Sequence, residues 1–128
     1  MRILVAEDDA VNAAIMRQLL ELRGHEVEVA VTGAEALQQA LSSPFDLLLL
    51  DIQMPELDGL QVVTAIRAAE RAAGGHLPVI AVTTRRGGDD RVRYLAAGMD
   101  GFLAKPINAR ELWDAIDLVR SGTPPAGD

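Results

Sequence analysis

Several polar residues with reactive or metal-binding side chains lie at or directly after the ends of short apolar runs. They are Glu7, Asp8, Asp9, Asp51, Thr83 and Lys105. Carboxylates that are brought together repel each other and raise one another's pKa unless a cation neutralises them. A hard divalent cation with oxygen ligands, Mg²⁺ or alternatively Mn²⁺, meets that need and keeps coordination positions for phosphate oxygens. With the ammonium group of Lys105 and the hydroxyl of Thr83 as phosphate partners, one of these carboxylates could act as the nucleophile of a phosphoryl transfer.

These residues meet only if the apolar runs before them are parallel strands. Short β-type runs alternate with helical stretches along the chain: strands over 3–6, 26–31, 45–50, 78–83 and 101–104, and helices over 10–22, 33–41, 60–73, 91–97 and 109–119. Strict alternation predicts an α/β fold with a parallel five-stranded sheet covered by helices on both faces. In such sheets ligands bind beyond the carboxyl ends of the strands, which is where the polar residues stand.

Apolar positions spaced by three or four residues predict the side of each helix that packs on the sheet. They are Val11, Ile15, Leu19 and Leu22 in the first helix, Val62, Val63 and Ile66 in the third, and Leu112, Ile116 and Val119 in the last. Thr32 with Glu35 has the spacing of a capping box, and Asn108 is a candidate N-cap.

Length and composition favour one compact domain. The chain has 128 residues, of which 49% are hydrophobic and 24% charged, and the Gly- and Pro-rich segment 121–128 is predicted to be a tail or linker after a domain over 1–120. The net charge of −7 argues against direct binding to nucleic acid or to an anionic membrane. Absence of cysteine excludes thiol chemistry and disulfides. With no apolar run near the roughly 20 residues of a membrane span and no signal-peptide pattern, we expect a soluble, cytoplasmic protein.

Over nearly its whole length the sequence resembles the CheY-like receiver domain of two-component response regulators. The matching residues are the pair Glu7-Asp8, Asp51 within the segment 51–59, Thr83, Ala97-Gly98 and Lys105-Pro106. Each match is weak alone, but all of them in order at successive strand ends form a specific pattern. Segments 7–12 and 98–107 are most similar to receivers of hybrid sensor histidine kinases, although Asp9, Thr84 and segment 85–88 depart from that pattern.

The resemblance implies a fold and a set of roles. The sheet order would be 2-1-3-4-5, doubly wound as in flavodoxin-like proteins, with a cis bond before Pro106. Asp51 would accept the phosphoryl group, and Mg²⁺ would be held by Asp8, Asp51 and the backbone carbonyl of Gln53, with Glu7 acting through water. Lys105 and Thr83 would contact the phosphoryl oxygens, and Thr83 and Phe102 would form the switch.

The implied partners are a histidine kinase or a histidine phosphotransfer protein, which would supply the phosphoryl group from a phosphohistidine. The chain would catalyse its own phosphorylation and dephosphorylation without being a conventional enzyme, and would be a monomer or a weak dimer.

The same residues also allow other roles, and the chain other protein classes. Asp8 and Asp9 have the position of helix caps, and Asp58 that of a turn or cap residue. A haloacid-dehalogenase type phosphohydrolase also uses Asp, Mg²⁺, Thr and Lys, but it carries a second acid two residues after the nucleophile, where this chain has Gln53. A flavodoxin-like nucleotide binder would place hydroxyl or glycine residues where Glu7, Asp8 and Asp9 stand. An inactive receiver would serve only as a docking module.

Overall fold

The computed structural model describes residues 1–54, 56–84 and 88–120, without the side chains of residues 88–90. The strands are β1 (Arg2–Ala6), β2 (Glu26–Ala30), β3 (Leu47–Asp51), β4 (Val79–Thr83) and β5 (Gly101–Ala104). The helices are α1 (Ala10–Leu22), α2 (Gly33–Ser42), α3 (Gly59–Ala73), α4 (Gly88–Ala97) and α5 (Ala109–Arg120). The tail predicted over 121–128 and the turn residue Pro55 lie outside the described residues.

The strands form one parallel sheet in the order β2-β1-β3-β4-β5. Asp51 pairs with Val82 and Thr83 with Ala104, so the carboxyl ends of the central strands lie side by side. The predicted α/β class and strand order are therefore confirmed. No helix in the described part of the chain has the length and apolar character needed to cross a membrane.

β3 is the buried centre of the sheet, because helices cover both of its faces. Leu48 and Leu50 pack into one apolar cluster with residues of α2, α3 and α4. Leu47 and Leu49 pack into a second cluster with residues of α1 and α5. This two-sided burial explains why the strand is a continuous apolar run rather than an alternating one.

The predicted packing side of α1 is wrong at three of its four positions. Val11, Ile15 and Leu22 are 68%, 39% and 82% exposed, and only Leu19 packs, partly buried, against the second cluster. The buried residues of α1 are Ala13, Met16 and Leu20. Both sets follow helical spacing, so periodicity alone does not choose between them. The rotation of α1 is set where the chain leaves β1, since Asp9 accepts hydrogen bonds from the backbone N–H groups of the first turn.

Other helix predictions fare better. In α3 the predicted stripe is buried, and in α5 Leu112 and Ile116 are buried while Val119 is partly buried. Two boundaries move by more than one residue: β3 begins only at Leu47, and α4 begins already at Gly88.

The helix caps are mostly as the sequence indicates. Asp58 forms a complete capping box with Gln61 at the start of α3. The backbone N–H of Glu111 donates to Asn108 Oδ1 at 3.1 Å. Thr32 Oγ1 accepts from the Glu35 N–H at 3.1 Å, but the Glu35 carboxylate accepts from the Gln39 side chain instead of completing the box.

β2 lies at one end of the sheet and keeps one edge free of the other four described strands. Its side chains alternate, with Val27 buried and Glu26 and Glu28 exposed. Arg2 on β1 reaches Glu28 at 3.0 Å and Glu26 at 3.9 Å. The edge strand therefore carries more negative charge than its neighbour neutralises.

At the opposite end of the sheet from Asp51, one guanidinium joins three segments, and we call this group the Arg67 clamp. Arg67 on α3 donates to the Gly98 carbonyl at 2.9 and 3.0 Å and to the Leu77 carbonyl at 2.8 Å. It also pairs with Glu70 and Asp100, each at 2.7 Å. The clamp thus fixes the beginning of β4 and the end of α4 against α3.

Candidate functional site

Asp51, the last residue of β3, is almost completely buried, with 3% exposure. Its Oδ1 accepts a hydrogen bond from the backbone N–H of Gln53 at 3.0 Å, and its Oδ2 accepts one from Lys105 Nζ at 3.0 Å. Two donors from different parts of the chain therefore fix the orientation of this carboxylate.

Glu7 follows β1 and is completely buried. Its Oε2 accepts from the Asp9 N–H at 3.2 Å, while its Oε1 lies 2.9 Å from Lys105 Nζ in an ion pair that lacks hydrogen-bond alignment. Burial raises the pKa of Glu7 to about 7, and the neighbouring Asp51 carboxylate acts in the same direction against the opposing effect of Lys105. A fully charged Glu7 therefore needs more positive charge than Lys105 supplies.

Lys105 follows β5, and its peptide bond to Pro106 is cis, as the resemblance implies. Its backbone N–H donates to the Thr83 carbonyl at 2.9 Å. Burial lowers the pKa of Lys105, but the contacts with Glu7 and Asp51 outweigh it, so that the pKa is raised overall. The ammonium group therefore stays charged between the two carboxylates.

Oxygens of Glu7, Asp8 and Asp51 all lie within 4.8 Å of one another. Asp8 is exposed, so this group opens to solvent on one side. The donor set suits a hard divalent cation, and the buried Glu7 Oε1 has no hydrogen-bond partner among the described residues. Three residues that the sequence predicted as metal ligands thus lie close together. Asp9 is not one of them, because its Oδ1 caps α1 by accepting from the Val11 N–H at 2.8 Å.

Thr83, the last residue of β4, is 6% exposed and lines two clefts. One, of about 160 Å³, lies towards α4 and β5 and is also lined by Tyr94 and Phe102. The other, of about 390 Å³, is bordered by Gln53 and Met54 from the loop after β3 and again by Tyr94. Thr83 therefore connects the acidic site with the surface between α4 and β5.

Phe102 is half-buried and its ring centroid lies 6.1 Å from that of Tyr94. The guanidinium of Arg91 lies 5.4 Å from the Phe102 ring centroid. Sequence reasoning named Phe102 but missed these two neighbours. Their spacing of three residues in a predicted helix, which places them on one side, was the available signal.

The arrangement combines a buried carboxylate nucleophile, a charged ammonium group, a hydroxyl residue and a carboxylate set suited to a divalent cation. Positive charge next to a nucleophile stabilises the negative charge of a transferring phosphoryl group. The geometry is therefore suited to phosphoryl transfer onto Asp51 without a separate catalytic base.

Comparisons with known proteins agree with this chemistry. The sequence pattern described as the response regulator receiver domain matches residues 3–117. Hybrid signal transduction histidine kinase I of Dictyostelium discoideum is 39% identical over 121 residues, covering 91% of this chain but 7% of that protein. Transcriptional regulatory protein PrrA of Mycobacterium tuberculosis is 45% identical over 111 residues, covering 87% of this chain and 46% of that protein. The chain thus spans less than half of either relative.

Solved structures show the same fold. The chemotaxis response regulator CheY4 of Vibrio cholerae superposes with a TM-score of 0.85 at 29% identity, covering 92% of this chain and 97% of that one. A signal receiver domain of a histidine kinase from Syntrophus aciditrophicus has a TM-score of 0.79 at 30% identity, covering 94% and 90%.

Proposed function

The chain belongs to the response regulator receiver family, and from that premise we propose that Asp51 accepts a phosphoryl group from a phosphohistidine of a histidine kinase or phosphotransfer protein. The observation that carries this assignment is the buried Asp51 carboxylate, 3.0 Å from Lys105 Nζ and grouped with Glu7 and Asp8. Glu7 shares the lysine partner and the acidic neighbours, but it is completely buried and follows β1, whereas Asp51 ends β3, the central strand of the sheet.

In the proposed transfer, a carboxylate oxygen of Asp51 attacks phosphorus while the bond from phosphorus to the imidazole nitrogen breaks. The imidazole leaves with the electron pair of that bond. Lys105 and Thr83 bind the phosphoryl oxygens. Mg²⁺, held by Asp8, Asp51 and the Gln53 backbone carbonyl with Glu7 behind them, would offset the negative charge of the carboxylates and of the phosphoryl group.

We expect Mg²⁺ to raise the melting temperature of the protein, since an ion that binds only the native state shifts the unfolding equilibrium. Asp8→Ala should remove most of this rise, because it deletes the exposed carboxylate of the group. Calorimetry at increasing Mg²⁺ measures both proteins, with Asp46→Ala as a control for loss of an exposed carboxylate elsewhere. An equal rise in Asp8→Ala would place the ion at another site.

The donor protein is proposed to dock on the exposed side of α1. Val11, Ile15 and Leu22 form an apolar strip along this helix. The strip begins next to Asp8 and Asp9, so a partner that packs on it also reaches Asp51. An apolar strip bordering a charged site is the pattern of a protein interface rather than of a small-molecule site.

The proposed function is tested by incubating the protein with acetyl phosphate and Mg²⁺, or with a phosphorylated histidine phosphotransfer protein. Intact mass should rise by one phosphoryl group in both cases, and hydroxylamine should remove it. Ile15→Glu should slow transfer from the protein donor by about tenfold, as a charge at an apolar contact does, and leave acetyl phosphate labelling unchanged. No labelling of the wild-type protein by either donor would refute the assignment.

Thr83 and Phe102 are proposed to form the output switch. Movement of the Thr83 hydroxyl towards the phosphoryl group would enlarge the 160 Å³ cleft that it shares with Phe102 and Tyr94. Phe102 lacks a hydroxyl group, so its turn inward would act through packing rather than through a surface hydrogen bond. The surface of α4, β5 and α5 would change with it.

NMR spectra should show this switch when beryllofluoride and Mg²⁺ are added. We expect amide shifts at Thr83, Thr84, Phe102 and the start of α5 as well as around Asp51. A differential interaction of a few kcal/mol suffices for such a population shift. Shifts confined to the surroundings of Asp51 would identify the chain as a relay without a conformational switch.

A further inference from the structure

The loop from β3 to α3, residues 52–58, contacts two glycines: Gly59, which follows it, and Gly33 of α2, which lies against Leu57. At its end the Gly59 N–H donates to the Ile52 carbonyl at 2.9 Å. A Cβ on Gly59 would stand 3.0 Å from the Asp51 carbonyl oxygen and 2.9 Å from Ile52 Cα. The loop therefore closes directly against the residue that carries the proposed acceptor carboxylate.

The second contact is tighter and comes from another helix. Gly33 is the first residue of α2, and a Cβ on it would stand 1.9 Å from the carbonyl oxygen of Leu57 and 2.7 Å from its carbonyl carbon. Gly33 is buried and does not have a positive φ. Glycine is thus required here for room and not for backbone conformation.

A short chain of contacts connects the point where the loop packs on α2 with the Asp51 carboxylate. Leu57 packs against the core cluster, together with the buried side chains of Ile52 and Met54. Between them lies Gln53, whose N–H donates to Asp51 Oδ1 at 3.0 Å. Because a close-packed interior transmits displacement, we expect a shift of Leu57 to reach Gln53 through the packed side chains of Ile52 and Met54.

We propose that Gly33 is a positioning residue for Asp51. Because Gly33 has no side chain, the β3–α3 loop packs closely on α2, and this packing holds the Gln53 N–H in hydrogen-bonding position to the Asp51 carboxylate. The expected effect on phosphorylation rests on the proposed acceptor role of Asp51. The structural claim, that Gly33 positions the Gln53 N–H, does not depend on that role.

The test compares Gly33→Ala with Ala34→Ser, a change at the next, exposed position of the same helix. Any Cβ at residue 33 must push Leu57 away by about 1 Å or more, and a misplacement of that size costs up to about 100-fold in rate. We expect Gly33→Ala to lower the rate of acetyl phosphate labelling at least tenfold and to raise the half-saturating Mg²⁺ concentration. The Gln53 amide resonance of the metal-free protein should shift as well, while Ala34→Ser leaves all three unchanged.

A second variant covers the case in which Gly33→Ala does not fold. Leu57→Gly keeps the carbonyl that lies against Gly33 but removes the side chain that holds this end of the loop on the core cluster, and it should reproduce the slower labelling and the Gln53 shift. Wild-type labelling rates and an unmoved Gln53 resonance in either folded variant would overturn the inference. If the wild-type protein itself takes up no phosphoryl group, the proposed function fails, and the Gln53 resonance still decides whether Gly33 positions the loop.

Discussion

Asp51→Asn is expected to take up no phosphoryl group from acetyl phosphate or from a phosphohistidine protein. Asparagine has nearly the same shape but keeps only one of the two acceptor oxygens that meet the Gln53 N–H and Lys105 Nζ, and a neutral amide does not displace imidazole or acetate from phosphorus. The variant should fold, since it also removes one of the crowded carboxylates around Glu7.

Asp9→Asn is the matched control for this experiment. It makes the same chemical change near the site, and asparagine is as good an N-cap as aspartate, so α1 keeps its first turn. Intact mass and hydroxylamine release measure both variants. Full labelling of Asp51→Asn at a different carboxylate would mean that the acceptor has been assigned to the wrong residue.

Arg67→Met is expected to lower the free energy of unfolding by about 3 kcal/mol, the lower end of the cost of breaking a buried charge pair, because the three side chains are only partly buried. Methionine fills much of the volume but removes the positive charge beside Glu70 and Asp100 and the donor of the Leu77 and Gly98 carbonyls. Urea unfolding measures the loss. Arg71→Met, one turn later on the exposed side of α3, should cost less than about 0.5 kcal/mol.

The Arg67 clamp should also make the free energy of unfolding depend on pH in the acid range. Burial raises the pKa of Glu70, but the Leu77 N–H and the Arg67 guanidinium outweigh it, so the folded-state pKa lies below the usual 4.5. A group with a depressed folded pKa stabilises above its unfolded pKa and loses that contribution as pH falls through the folded value. The stability difference between wild type and Arg67→Met should therefore narrow below about pH 4.5. Equal losses in Arg67→Met and Arg71→Met at neutral pH would show that the clamp does not stabilise the fold.

The sequence predicted the fold and the main site residues for one physical reason: parallel strands end at the same edge. Glu7, Asp51 and Lys105 are far apart in the chain, but each follows a strand, so the alternation of strands and helices was enough to bring them together. The roles of all the site residues, among them Thr83, Phe102 and the Gln53 carbonyl, stay predictions, since only their positions and neighbours are described.

Features that depend on distance in three dimensions were not predictable. Arg67 contacts residues 31 and 33 positions away, and nothing in its local sequence distinguishes it from Arg71. The closeness of Gly33 to Leu57 is likewise invisible before α2 is placed beside the loop. The orientation of α1 was predicted wrongly because Val11 and Ile15 have the same helical spacing as the residues that are buried.

The glutamates of β2 bear on how the protein behaves at high concentration. An unpaired strand edge is a template on which a further chain can extend the sheet. A second copy that pairs its own β2 with this edge would bring the exposed Glu26 and Glu28 of the two chains close together, and Arg2 offsets only part of that repulsion. The strand that completes the sheet therefore carries charges that oppose the growth of the sheet.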